Sequence, residues 1–327
     1  MEIISNKEEY LKYYFNLAII LDDKEYRNIR NEHYNPDLYI GLLDRSNSIF
    51  IPLVSKNNLV TFFGGILYNE NNTIPQNYIN ILIDSLLEKK LSFKLLSINN
   101  DIFNELNENY KKYDVPYTNK WFIDFEKFDL ENYYNTSKIK SDHNSKRIRL
   151  SLNRKDYYKL QCINEDYNLY IDDIIDKISL RFLEKDKVYS WNENKELLLN
   201  ILLFFQQRNE LLFYILKNDE KMIGWFCCIN NGNGKFTNLI FNIISKFYKH
   251  DVIILFMKMQ EILKDNNCKF FDFMNGSFGY KDICGCDYQP VFALVNDENW
   301  KIQYNSDIDK DKVIQKIKRD FGCFSNI

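Results

Sequence analysis

KFFDFMNGSFGYKDICGCDYQPVFALV, residues Lys269 to Val295, is the stretch that decides the fold. Phe270, Phe271 and Phe273, with Asp272 among them, have the pattern of a short buried strand ending on a polar turn, Asn275-Gly276-Ser277. Gly276 permits a backbone conformation that other residues avoid. A helical turn carrying Tyr280 and Lys281 follows, then Gly285, then a second strand from Pro290 to Val295. A strand end that releases Asp, Asn, Gly, Tyr and Lys in close succession is where open sheets gather ligand-handling groups, so this is the candidate site.

The chain around it has 327 residues, 45% hydrophobic and 16% aromatic, enough for two domains each with its own core. A net charge of −3 argues against a dedicated nucleic-acid binder but leaves room for a local basic patch. The opening MEIISNKEEY is charged where a signal peptide needs an apolar core. The longest apolar runs, near Leu197 to Phe205 and Val252 to Met257, are too short to span a bilayer. A soluble cytoplasmic protein with no membrane insertion is expected.

Seven cysteines, an odd number without an export signal, read as reduced, small core residues. Cys227 and Cys228 adjoin in a strand-like run and face opposite sides of a sheet. Cys268, Cys284 and Cys286 lack a second pair at zinc-site spacing, and His33, His143 and His250 are scattered, so no metal is expected.

Along the chain, Lys7 to Asn31 carries apolar positions at helical spacing. Leu38 to Leu43, Ile49 to Val54 and Leu59 to Tyr68 read as strands, the third interrupted by Gly64-Gly65 as at a bulge. Pro75 opens a helix to Lys90 with a stripe at Ile79, Leu82, Ile83, Leu86 and Leu87. Phe93 to Ile98 is a strand, Asp101 caps a helix over Ile102 to Tyr113, and Trp121 to Phe125 is again a strand. The second half repeats this order. Helical patterns at Asp166 to Leu183 and Asn194 to Gln206 precede strands at Leu212 to Leu216, Met222 to Ile229 and Phe236 to Asn242. The helix Val252 to Lys264 then leads into the Phe270 strand, and the Pro290 strand closes the chain. Two copies of one mixed α/β unit account for this order, divided as residues 1–134 and 135–327.

The join carries Lys138, Lys140, Lys146, Arg147, Arg149, Arg154, Lys155 and Lys159, opposed by Asp142 and Asp156. Such a run steers a phosphate-bearing ligand, or it is a solvated helix face and linker; the sequence leaves both open.

These residues carry a resemblance. WFIDFEKFDLENYYN, SKRIRLSLNRKDYY and a strand of the form FDFxxGxxxYK with a glycine after it look like the tandem GNAT-type acyltransferases, including the CelD-like acetyltransferases and, more distantly, the Fem aminoacyl transferases. The most specific part is Phe271-Asp272-Phe273, Gly276, Tyr280-Lys281 and Gly285; the match runs from about Trp121 to Val295. The fold it implies is α/β (α+β), two tandem GNAT-like domains, each a mixed, mostly antiparallel sheet flanked by helices, with the probable active site in the second.

The implied activity is transfer of an acyl group to a primary amine, with acyl-CoA, acetyl-CoA in the simplest case, as co-substrate. The amine attacks in its neutral form, and an oxyanion must be stabilised as it forms. Tyr280 and Lys281 match the Tyr-Lys of the family pattern, which places the lysine near the reacting acyl group. Asp272 is either a base toward the amine or, the favoured reading, the residue that holds the following turn through backbone N–H groups. Asn275, Gly276 and Ser277 form that turn, Lys146, Arg147 and Arg149 are candidates for holding the donor, and Tyr68, Trp225, Phe278 and Tyr280 are expected as aromatic walls between the domains.

One departure bears on the donor. The acetyl-CoA enzymes of this superfamily carry a glycine-rich pyrophosphate loop before the helix, whereas FNIISKFYKHDV has no glycine. An aminoacyl-tRNA or an acyl carrier protein is then an alternative donor carrier, although no long helical hairpin of the Fem type appears. The acceptor is a small amine, an amino sugar or a cell-envelope precursor. A catalytically silent binding module of the same fold is the alternative from a different class.

Overall fold

The computed structural model describes residues 2–16, 36–45, 49–57, 59–62, 67–68, 77–99, 104–140, 142–183, 194–219, 221–244, 250–275 and 279–296. Two compact units divide the chain: Met1–Asn119 together with the segment from Gln289, and Lys120–Tyr288. The sequence expectation had put a single division after Tyr134.

In the first unit β1 (Glu2–Ile4) is followed by α1 (Lys7–Asn16), then β2 (Leu38–Asp44), β3 (Ile49–Lys56), β4 (Leu59–Phe62) and the short β5 (Leu67–Tyr68). Strands β1 to β4 pair antiparallel in sequence order, and β5 pairs the start of β3. Helix α2 (Tyr78–Glu88) then crosses over to β6 (Ser92–Asn99), which pairs parallel with β4. The stripe read from the sequence is the face α2 buries: Ile79, Leu82, Ile83 and Leu86 are each at most 1% exposed. At about 1.5–3 kcal/mol per buried aliphatic side chain, that stripe outweighs the weak intrinsic stability of an eleven-residue helix. On α1, Tyr10 and Tyr14 pack with Phe50 and Tyr39 in a separate aromatic layer.

The second unit has the same order. Helices α3 (Leu130–Ile139) and α4 (His143–Leu152), β8 (Tyr158–Cys162), α5 (Ile171–Leu183) and α6 (Lys195–Gln207) lead to an antiparallel meander of β9 (Leu211–Asn218), β10 (Lys221–Asn230) and β11 (Lys235–Ile243). Gly232 and Gly234, at φ 82° and 74°, make the β10–β11 turn. Helix α7 (Asp251–Asp265) crosses over to β12 (Phe270–Asn275), which runs parallel to β11. The short α8 (Gly279–Ile283) follows.

The closing strands are exchanged between the halves. β7 (Asp114–Asp124) follows β6 in the chain, yet its Lys120 to Asp124 pair antiparallel with β12 of the second unit. β13 (Asp287–Val295) follows α8, yet Val291 to Val295 pair antiparallel with β6 of the first. Leu294, fully buried, belongs to the same core cluster as Ile79, Leu82 and Leu95. Each sheet is thus completed by a strand from the other half of the sequence. The fold is the expected one, two mixed and mostly antiparallel sheets flanked by helices.

Several local expectations differ. The helix expected to Tyr113 is a 3-10 segment over Glu108–Tyr113, with its expected cap, Asp101, outside the described residues. Residues 17–31 and Gly64-Gly65 also lie outside them. Cys162 is exposed at the end of an edge strand, whereas Cys227, Cys228, Cys268, Cys284 and Cys286 are buried. Among the described residues, no helix is long and apolar enough to cross a membrane.

Candidate functional site

The second unit departs from regular sheet geometry along β12. Its parallel pairing with β11 covers only Lys235↔Phe270, Phe236↔Phe271 and Thr237↔Asp272. On the other edge the register to β7 shifts between Asp272 and Asn275, and within that bulge Met274 adopts φ 61°. A non-glycine residue in the left-handed region costs on the order of 1 kcal/mol or more, and such strain persists only where surrounding contacts over-determine it.

Those contacts come from Asp272 and Lys281. One Asp272 carboxylate oxygen accepts from the Met274 N–H at 2.9 Å, the turn-holding role favoured from sequence. The other lies 2.8 Å from the Lys120 ammonium on β7. From α8, the Lys281 ammonium donates to the carbonyls of Phe273 at 3.3 Å and Met274 at 3.4 Å, and sits 4.5 Å from the Phe273 ring centroid. The bulge is therefore held by a carboxylate on its N–H side and an ammonium on its carbonyl side.

Lys281 is only 2% exposed. Burial pulls its ammonium down from 10.5 to about 8, opposed by the nearby Cys286 and Asp272.

Tyr280, the residue before it, stacks on Phe241 of β11 with centroids 5.4 Å apart and meets Phe256 of α7 and Phe273 of β12 edge-on. Its ring bridges the two strands beyond the point where their backbones pair. Behind α8, Gly285 has φ 77°, and a Cβ there would lie 2.4 Å from the Phe128 ring. The Tyr133 hydroxyl donates to the Ile283 carbonyl at 2.8 Å, and the buried Gln260 amide donates to the Cys284 carbonyl at 2.9 Å while Tyr134 bonds its oxygen. The short helix carrying Tyr280 and Lys281 is fixed from three directions.

The remaining candidates scatter. Asn275 ends β12 with its side chain outside the described residues, as are Gly276, Ser277 and Phe278 and the side chain of Tyr68. The expectation that Trp225 lines a ligand wall gives way to a core position: it is fully buried on β10, in register with Ile215 of β9 and Asn242 of β11. The basic run splits by role. Lys146 is exposed on α4, whereas Arg149 turns inward and donates to the carbonyls of Ser137 and Lys140 at the end of α3. That contact caps a helix terminus. Arg147 is half-buried and, with Arg154, depresses the proton affinity of His250, whose main cause of depression is burial.

Two participants were not read from the sequence. Lys120 reaches Asp272 only through the β7–β12 pairing, for which no local signal exists. Asp251 opens α7 fully buried and accepts from the Tyr158 hydroxyl at 2.7 Å. An acidic residue in a first helical turn was a legible signal for it.

No protein-family model matches the chain, nor does any curated protein. Solved structures match by fold. FemX is similar at 10% identity, covering 92% of this chain and 99% of that one, with a TM-score of 0.53. The C-terminal domain of a protein assigned as a lysylphosphatidylglycerol synthetase, from Agrobacterium fabrum, is similar at 11% identity over 90% of this chain and 94% of that one, TM-score 0.53. L-PGS from Bacillus licheniformis gives 9% identity, 90% and 92% coverage and a TM-score of 0.52. At such identities the likeness is one of fold, and the tandem GNAT-like architecture implied by the sequence is the architecture of this chain.

Proposed function

We propose that this protein is an acyltransferase that moves an acyl group from an activated donor, acyl-CoA in the first instance, to the primary amine of a small molecule, amino sugar or cell-envelope precursor. The observation that carries the reading is the strained bulge at Phe273–Met274, clamped by Asp272 and Lys281 where β12 leaves β11. Strain held in place beside a break in strand pairing is a feature of sites built for ligands.

In the transfer, the neutral amine nitrogen bonds to the acyl carbon, negative charge collects on the acyl oxygen, and the bond to the donor's leaving atom then breaks. The attacking nitrogen gives up a proton, and the leaving sulfur or oxygen takes one. Lys281 serves this centre with a fixed positive charge that favours the oxyanion, and as a positioning residue through the carbonyls it holds. Asp272, already engaged by the Met274 N–H and Lys120, is a positioning residue rather than the base. Tyr280 forms the aromatic edge of the site. Lys146, exposed where Arg147 and Arg149 are half-buried, is left to attract donor phosphate.

A second reading concerns the donor alone. Helix N-termini attract phosphate, but the first turn of α7 carries its own buried carboxylate, Asp251, in a glycine-free connection. This favours a donor whose phosphates dock elsewhere, and with the fold shared with FemX it makes an aminoacyl-tRNA the alternative to acyl-CoA. Titration calorimetry with acetyl-CoA, a long-chain acyl-CoA and charged tRNA separates the two. Binding of one donor, with turnover lost in Lys281→Ala and reduced in Tyr280→Phe, supports transfer. Absence of binding by every donor at millimolar concentration leaves a silent module of the same fold.

A further inference from the structure

The second unit contains a cavity of about 280 Å³ between α3, α4 and α7, and none of Asp272, Tyr280 and Lys281 lines it. Its floor is apolar, formed by Leu130, Tyr134, Leu152 and Met257. Its rim is charged, with Glu131, Glu261 and Asp265 set against Lys155 and Lys264. Lys155 is spent on Glu261, 3.1 Å away, which leaves two carboxylates facing one ammonium.

The helix ends at the cavity leave that balance as it is: the last turns of α4 and α7 carry Arg149 and Lys264, and the start of α3 carries Asp129, whose side chain accepts from the Asn132 N–H. An apolar floor beneath a rim of negative potential selects a ligand with a greasy body and one positive head. The volume, just under the usual range for ligand pockets, suits a small metabolite rather than a polymer.

We propose that this cavity binds a small organic monocation, a primary amine or guanidinium on an apolar chain, at a site separate from the transfer centre. It does not depend on the acyl-transfer reading, because binding here requires no donor and no turnover.

The test uses the full chain and ligand-observed NMR with three matched probes: hexylamine, hexanol and hexanoate. Hexylamine should bind at least about tenfold more tightly than either partner probe, and 0.5 M salt should narrow that gap. Replacing the rim carboxylates by Glu131→Gln with Asp265→Asn should weaken hexylamine about fivefold and leave hexanol unchanged, as loss of two partly solvated charges predicts. Leu152→Phe, which fills the floor, should weaken both hexylamine and hexanol. Equal binding of all three probes, tighter binding of hexanoate, or no hexylamine binding overturns the proposal. The probe comparison on the unmodified protein decides it even if a variant fails to fold.

Discussion

Replacing Lys281 by methionine separates a functional from a structural lysine. Burial lowers the lysine from 10.5 to about 8, and at about 1.4 kcal/mol per pH unit the charged form costs the folded state about 3 kcal/mol. Against this stand the two carbonyls of Phe273 and Met274 that the ammonium satisfies, at about 1 kcal/mol or more each when left unpaired. Lys281→Met should therefore change stability at pH 7 by no more than about 1–2 kcal/mol, in the stabilising direction if the bulge relaxes toward water. The sign with pH follows from linkage. Between about 8 and 10.5 the unfolded chain holds a proton that the folded chain has released, so stability rises with pH through that window. The cost is fully present below 8 and gone above 10.5. Urea melts of the wild type and of Lys281→Met at pH 7, 8.5 and 10 isolate this contribution, because other groups cancel in the difference. The wild type should gain about 3 kcal/mol on the variant across the window, while the variant loses transfer activity at every pH. A loss of more than about 3 kcal/mol at pH 7, or a difference flat with pH, would refute the reasoning: the lysine would then be an ordinary structural contact.

Other outcomes follow from the same geometry. Gly285→Ala should destabilise by about 2–4 kcal/mol in thermal melts, since it combines a φ of 77° with a Cβ 2.4 Å from Phe128, and Phe128→Leu should restore part of the loss. Arg149→Ala should cost about 1–2 kcal/mol by uncapping α3, with Arg149→Lys an incomplete rescue; a loss of donor affinity without loss of stability would return Arg149 to the binding set. Leu294→Ala should cost about 2–5 kcal/mol, and hydrogen exchange should report the loss in β6 and α2 of the first unit, because Leu294 fills that unit's core. Enhanced exchange confined to β12 would contradict the strand exchange. A double-mutant cycle of Lys120→Met with Asp272→Asn should show a coupling of about 0.5–1 kcal/mol, modest because the Lys120 side chain is 42% exposed.

Much of the candidate site was visible in residues 269–285. Alternation of Phe271 and Phe273 marked the strand, Asp272 sat where a turn begins, and Tyr280-Lys281 fell on the next helical turn. What those residues touch was not visible. The sequence placed Lys281 beside the reacting acyl group, and only the fold shows its ammonium buried against two carbonyls of the preceding bulge. Trp225 looked like a pocket wall and is core, because in an aromatic-rich strand covered on both sides periodicity does not separate a wall from an interior. Arg149 and Lys146 share one basic run, and only the position of α3 beside α4 assigns them different work.

By itself the sequence determined the kind and order of the elements: the stripe of α2, the meander of β9 to β11 and the repetition of one unit. Side-chain periodicity, caps and turn residues are local properties, written within a few residues of where they act. Only the tertiary structure decided which sheet each closing strand completes. Backbone N–H and C=O groups are the same on every strand, so the choice of β12 for β7 and of β6 for β13 depends on which apolar faces are buried together. That choice brings Lys120 to Asp272 and fixes the neighbours of the site strand.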